Sequence, residues 1–67
     1  MRTYEGTVSA FDDARGLGIV TSDSGSRWPF HCVSLADGTR TVSSGARVRF
    51  SISFRVLRLE AVEIEKI

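Results

Sequence analysis

The stretch from Arg15 to Val20, which reads Arg-Gly-Leu-Gly-Ile-Val, restricts the possible folds of this chain more than any other segment. Because successive side chains of a strand point to opposite faces, Leu17 and Ile19 would share one face and the glycines the other. Glycine inside a strand usually marks a bend or a close backbone approach, as in a strand that coils across a small barrel. We therefore predict a curved strand that presents Leu17 and Ile19 outward. The alternative places these two residues in the core, with the glycines outside.

The rest of the chain has the pattern of an all-β domain. Apolar residues recur at every second position and turn residues punctuate at short intervals, with no helical periodicity. Pro29 cannot donate a ladder hydrogen bond, so its strand should lie at a sheet edge or a bulge. A change of parity near Ala61 or Val62 predicts a bulge in the last strand. The turn before that strand contains no glycine or proline and cannot be typed. The predicted strands cover residues 3–11, 15–21, 27–33, 47–54 and 58–65.

A long polar connection, residues 34–45, separates three sequential strands from a final hairpin. A meander followed by a crossing and a hairpin is the order of a five-stranded antiparallel Greek-key OB-fold barrel. With 67 residues the chain is predicted to be a single domain, residues 1–67. A domain of this size buries only ~60% of its unfolded surface.

Composition limits the classes of site that the chain can hold. One cysteine excludes an intrachain disulfide, and Cys32 with His31 cannot complete a four-ligand zinc site. We expect no metal and no cofactor. A lone thiol indicates a reducing compartment. No apolar run approaches the ~20 residues of a membrane span, and no signal-peptide segment is visible at the N-terminus. We therefore expect a cytoplasmic protein that does not associate with a membrane.

The charge is unevenly distributed, although its net value is only +1. Eight of the nine basic residues are arginine, which suits flat, bidentate and stacking contacts. Between residues 24 and 59 the only acidic residue is Asp37, against six arginines. A locally basic surface is therefore expected on a nearly neutral chain.

Several segments, in order and at compatible spacing, resemble the bacterial cold-shock proteins. The second strand of that family typically reads Lys-Gly-Phe-Gly-Phe-Ile, and a later motif reads approximately Val-Phe-Val-His-Phe-Ser. The resemblance implies an OB-type barrel, not an enzyme, that binds single-stranded DNA or RNA by stacking bases on surface aromatics. The matching segments are Gly6-Thr7-Val8 with Phe11, Arg15 to Val20, Trp28 to Ser34, Gly45 to Phe50, and Glu60-Ala61.

The chain departs from the family pattern at the positions expected to stack on bases. The strand-one tryptophan of the family aligns with Ala10, its second-strand phenylalanines with Leu17 and Ile19, and its histidine with Cys32. In that alignment Phe30 keeps an aromatic ring on the outer face. A one-residue shift in register would reverse which residues of this strand face outward. Since each stacked base contributes ~1–3 kcal/mol, losing several rings would lower the affinity by orders of magnitude.

The predicted nucleic-acid site combines apolar residues that contact bases with arginines that contact phosphates. Phe11 is either part of this surface or folded under the barrel, and Trp28 either extends the surface or caps the barrel end. Arg15, Arg27 and Arg58 contact phosphate or are ordinary solvated arginines. The full predicted set is Phe11, Arg15, Leu17, Ile19, Arg27, Trp28, Phe30 and Arg58.

No catalytic constellation is apparent. His31 and Cys32 are neighbours and point to opposite faces, which excludes a nucleophile pair. We expect His31 in or near the core and Cys32 to act as a small hydrophobe. Asp12 and Asp13 fit a solvated turn. An alternative function is protein interaction or homodimerisation, because aliphatic residues on an exposed face suit a dry interface more than base stacking.

Overall fold

The computed structural model describes residues 2–55 and 58–67. It is an all-β domain, as predicted. The strands are β1 (Tyr4–Asp12), β2 (Leu17–Ser22), β3 (Arg27–His31), β4 (Arg47–Arg55) and β5 (Arg58–Lys66). A single turn of 3-10 helix, Cys32–Ser34, follows β3 and was not predicted, so the third strand ends at His31 rather than at residue 33. The untyped turn between the last two strands lies at residues 56–57, outside the described residues.

The five strands form one antiparallel sheet in the order β3-β2-β1-β4-β5. The first three strands are a meander, and the long connection then carries β4 to the other side of β1. Within the described residues β3 and β5 share no hydrogen-bonded ladder; their side chains meet instead, through His31 and Glu60. A parallel bridge between Leu35 and Ile64 also links this seam. The arrangement is the predicted OB-type barrel, and Pro29 lies on its edge strand, as its missing donor requires.

The core is built from the inward residues of alternating strands. Val48 and Phe50 of β4 are buried as the period-two pattern predicts, and Val8 and Val20 face them from β1 and β2. Phe54 continues the same parity near the end of β4, where it is paired with Leu59, but it is 65% exposed. Cys32 packs against the core as a small hydrophobe, in agreement with its predicted role.

Two bulges set which side chains point inward. In β5 the pairing shifts between Arg49↔Glu65 and Ser51↔Val62, so the predicted bulge exists but lies at residues 63–64. Glu63 there adopts a φ of 51°. In β1 the pairing shifts between Val8 and Ala10. This second bulge was not predicted, and it turns Ala10 outward.

The turn between β1 and β2 is held by Asp12. Its Oδ1 accepts hydrogen bonds from the backbone N–H groups of Ala14 (3.0 Å) and Arg15 (3.3 Å). Gly16 has a φ of +67° and donates its N–H to the carbonyl of Asp12, so it belongs to the turn. A positive φ is readily adopted by glycine alone. The second strand therefore begins at Leu17, two residues later than predicted.

The long connection is fastened to the end of β5. Lys66 Nζ lies 3.1 Å from Asp37 Oδ2 and also donates to the carbonyl of Thr41 (3.2 Å). Hydrogen bonds from the hydroxyl and backbone N–H of Thr39, and then from Lys66, lower the pKa of Asp37 to about 2. These contacts place the connection at the barrel end where β5 finishes.

Gly18 is predicted to tolerate no side chain. A Cβ at this position would lie 2.5 Å from Phe30 Cζ and 2.8 Å from the carbonyl oxygen of Ala10. We expect Gly18→Ala to lower the free energy of unfolding by about 1–3 kcal/mol, as overpacking of a core does. Urea unfolding measures it. The clash with the ring should be relieved when the ring is smaller, so Gly18→Ala should cost less in a Phe30→Leu background. An equal loss of unfolding free energy in both backgrounds would show that the Phe30 ring does not oppose a side chain at residue 18.

Candidate nucleic-acid interface

Four residues of β2 and β3 form the outer face of the sheet edge: Leu17, Ile19, Pro29 and His31. Leu17 is paired with His31 and Ile19 with Pro29, and directly paired residues point to the same side of a sheet. All four side chains are half-buried. The intervening residue Gly18 is buried. The predicted outward orientation of Leu17 and Ile19 is therefore confirmed.

The predicted outward orientation of Phe30 is wrong, and Trp28, for which extending this surface and capping the barrel end were both open, also lies on the inner side. Phe30 is paired with Gly18 and is only 1% exposed, and Trp28 is paired with Val20 and packs against the core. The physical reason is space, because the ring of Phe30 fills the volume that Gly18 leaves empty on the inner side. The structure therefore has the register shifted by one residue, in which Pro29 and His31 face outward.

His31 is also placed differently from its prediction. Its side chain is 45% exposed and lies on the outer face, not in the core. His31 and Pro29 are thus two residues of the outer face that were not in the predicted site set. Alternation along β2 places Leu17 and Ile19 on the outer face. Once the pairing of β2 with β3 is known, their partners in β3 must point outward as well.

A shallow groove of about 370 Å³ lies on this side of the barrel. Its lining is mostly apolar, and it continues from β3 across β2 to the end of β1. Phe11 is half-buried and its ring stacks on Phe30, with centroids 5.9 Å apart and planes 12° from parallel. The lining residues are Ala10, Phe11, Asp12, Leu17, Gly18, Ile19, Pro29, Phe30 and Arg58.

The groove brings together some of the predicted site residues but not all of them. Phe11, Leu17, Ile19, Phe30 and Arg58 line it, although Phe30 is only 1% exposed. Trp28 does not line it.

The two remaining predicted arginines do not line the groove. Arg27 is exposed and has the same strand parity as Pro29 and His31. Arg15 is exposed in the β1–β2 turn, with its Nε 3.8 Å from Asp12 Oδ2. Each lies two residues along the chain from a lining residue, Arg27 from Pro29 and Arg15 from Leu17.

Two arginines of β4 are paired with acidic residues away from the groove. Arg47 makes a bidentate pair with Asp23, at 2.7 and 3.0 Å, and Arg49 lies 3.8 Å from Glu5. The hydrogen bond from Arg47 lowers the pKa of Asp23. Arg15 and Arg58 also have acidic partners, but their side chains are more exposed than those of Arg47 and Arg49.

Glu60 lies under the seam between β3 and β5 and is 2% exposed. Its Oε1 is 3.0 Å from His31 Nδ1, and its Oε2 accepts a hydrogen bond of 3.3 Å from Arg58 Nε. Burial raises the pKa of the Glu60 carboxyl, but the hydrogen bonds and positive charges of His31 and Arg58 outweigh burial, and the net pKa is lowered. A buried carboxylate is tolerated when it is paired and hydrogen-bonded in this way.

Comparison with known proteins identifies the family of the chain. No family model matches the chain. The chain is 36% identical over 64 residues to the cold shock-like protein CspA of Stigmatella aurantiaca (strain DW4/3-1), covering 92% of this chain and 94% of that protein. The chain belongs to the cold-shock protein family. Membership implies nucleic-acid binding in general, in a family of binding proteins rather than enzymes.

A solved structure supports the fold independently. The drosophila Unr CSD456 structure superimposes with a TM-score of 0.81 at 22% identity, covering 98% of this cold-shock domain but 27% of that chain. At this identity the likeness concerns the fold alone. Among the described residues no group of three or more His, Cys, Asp or Glu could hold a metal ion. No helix in the described part of the chain is long and apolar enough to cross a membrane.

The Glu60 pairing predicts a specific loss of stability in acid. Because the pKa of Glu60 in the folded state is below its ordinary value of 4.5, the pair contributes stability above that value. This stability is lost as the pH falls through the folded-state pKa. We expect the difference in unfolding free energy between the unsubstituted chain and Glu60→Gln to shrink from pH 6 to pH 3 in urea titrations.

Other carboxyls, Asp23 and Asp37 among them, also have lowered pKa values and contribute the same trend in both proteins. The comparison with Glu60→Gln cancels them. A difference that stays constant over this range would contradict the assignment of an ionised Glu60 in the folded state.

Proposed function

We propose that this cold-shock domain binds single-stranded RNA or DNA along the groove, with low sequence specificity. Bases would lie against Leu17, Ile19 and Phe11, while the arginines at the borders contact phosphates. The observation that carries the proposal is a mostly apolar groove of about 370 Å³ on the outer side of the sheet edge, which Arg58 also lines. Apolar surface for unpaired bases and bordering positive charge for the backbone are the two components of single-strand recognition.

The affinity for nucleic acid should depend more on charge in this chain than in a cold-shock protein with aromatic residues at all of its stacking positions. Each base stacked on an aromatic ring contributes ~1–3 kcal/mol, and Leu17, Ile19 and Pro29 offer no ring for stacking. Of the two aromatic residues that line the groove, Phe11 is half-buried and Phe30, on which it stacks, is buried, so Phe11 has the more accessible ring. The arginines at the borders therefore supply a larger share of the binding free energy, and that share is sensitive to salt.

The first test is the titration of a fluorescein-labelled oligonucleotide of about eight nucleotides, the scale of an OB-fold site, followed by anisotropy at several salt concentrations. We expect binding that weakens as salt rises. Since single strands lose ~0.7 units of log K per phosphate contact for each decade of salt, contacts from Arg15, Arg27 and Arg58 predict a slope of about −2. Duplex of the same sequence serves as the control and should bind more weakly, because its bases are not accessible to the groove.

Absence of binding at high micromolar protein and low salt would contradict the proposal. Binding that prefers duplex would contradict the part assigned to the apolar groove. Parallel titrations with RNA and DNA of one sequence decide which of the two is preferred.

The second test restores rings at the groove. In the double variant Leu17→Phe/Ile19→Phe, two aromatic side chains would replace aliphatic ones on the half-buried outer face. We expect the affinity for the same oligonucleotide to rise by about fivefold or more, since one additional stacked base contributes ~1–3 kcal/mol. Val33→Phe is the matched control, because Val33 is 73% exposed and does not line the groove. Equal gains in both variants would contradict the assignment of the site.

Self-association is the competing use of the same apolar face. The observation that favours it is that the exposed side chains are aliphatic, which suits a dry contact between copies. Light scattering on the titration samples gives the molar mass of the unsubstituted chain and of Leu17→Glu. A dimer that Leu17→Glu dissociates would support this second function. A monomer unaffected by the substitution would exclude it at the concentrations used.

A further inference from the structure

Glu60 is a buried carboxylate whose two oxygens hold two side chains that reach the candidate interface. His31 and Arg58 come from the two edge strands of the barrel and meet at this one residue. We infer that Glu60 is a positioning residue for nucleic-acid binding, which fixes the His31 imidazole and the Arg58 guanidinium in the geometry that contacts the ligand. The inference rests on the proposed function and adds a residue that does not itself line the groove.

Glu60 determines which nitrogen of His31 is available to a ligand. An ionised carboxylate only accepts hydrogen bonds, so the Nδ1 atom 3.0 Å from Glu60 Oε1 carries a proton. The ring then presents Nε2 to its surroundings, as an acceptor when the ring is neutral and as a donor when it is protonated. Since His31 lies beside Leu17 on the outer face, a base edge or a phosphate near the groove could use that atom.

Glu60 also restrains Arg58. The Nε atom donates to Glu60 Oε2, which leaves the two terminal nitrogens of the guanidinium for a ligand. Arg58 is more than half exposed and lines the groove. A long exposed side chain loses rotamer entropy when it binds, and a side chain already held in place loses less. The carboxylate thus prepares a planar donor at the border of an apolar surface.

Simple electrostatics predicts the opposite effect of Glu60, and this makes the inference testable. A negative charge near a polyanion weakens binding, so its removal should strengthen binding if charge alone matters. If Glu60 acts through His31 and Arg58, its removal should weaken binding instead. Glu65 offers a matched control, because it is an exposed carboxylate on the same strand whose substitution changes the net charge by the same amount.

The experiment compares Glu60→Gln with Glu65→Gln in the oligonucleotide titration. His31 and Arg58 contact different oxygens of Glu60, and in Gln one of these two atoms becomes an NH2 group, which donates and cannot accept from its partner. We expect Glu60→Gln to weaken binding about three- to tenfold, as loss of a charge-assisted contact does, while Glu65→Gln binds equally or more tightly.

In the His31→Ala/Arg58→Ala background, Glu60→Gln should no longer weaken binding. Nitrogen-15 spectra of His31 should show the Nδ1-protonated form in the unsubstituted chain and a changed tautomer balance in Glu60→Gln.

Glu60→Asp provides a second variant that keeps the charge and shortens the side chain by one methylene. It should also weaken binding, whereas a pure charge effect predicts no change. Circular dichroism establishes that each variant is folded at the temperature of the titration.

If the unsubstituted chain does not bind, both this inference and the proposed function are overturned. If the chain binds and the folded Glu60 variants bind equally well, this inference alone is overturned. It is also overturned if neither variant folds, since Glu60 would then be a folding residue.

Discussion

The ring of Phe30 lies over Gly18, and the geometry of the interface depends on this contact. A glycine in the middle of β2 leaves a space on the inner side of the sheet, and Phe30 from β3 fills it. Once that pair is in place, alternation along both strands determines every other orientation at the sheet edge. Leu17, Ile19 and His31 must then point outward. The apolar groove is therefore a consequence of a packing requirement inside the barrel.

This dependence explains which parts of the site could be predicted from the sequence. The fold and the outward parity of Leu17 and Ile19 follow from local period-two patterns and turn residues. The orientation of Phe30 does not, because a single strand with apolar residues on both faces fits either register. Choosing between the registers requires knowing that Phe30 faces Gly18, which is a contact between strands. The bulge in β1 was missed for a similar reason, since no glycine or proline marks Ser9 or its neighbours.

The interface combines the family's architecture with different side-chain chemistry. The aliphatic outer face can exclude water from a base but lacks the face-to-face stacking that rings provide. The side chains of Arg15 and Arg58 are more exposed than those of Arg47 and Arg49 on β4, although each of the four has an acidic partner. Positive charge therefore remains accessible near the aliphatic surface. Such a surface favours binding that tolerates many sequences and responds strongly to ionic strength.

The seam between β3 and β5 connects the stability of the barrel with the interface. The described residues show no backbone ladder between the two edge strands, so side chains connect them, next to the single bridge between Leu35 and Ile64. Glu60 does this from the buried side, and its partners His31 and Arg58 reach the outer side. Burial of a carboxylate is costly unless both oxygens are satisfied, and the two partners satisfy them. The hydrogen bonds that keep the buried Glu60 ionised therefore also restrain His31 and Arg58, the two side chains that a nucleic acid would meet.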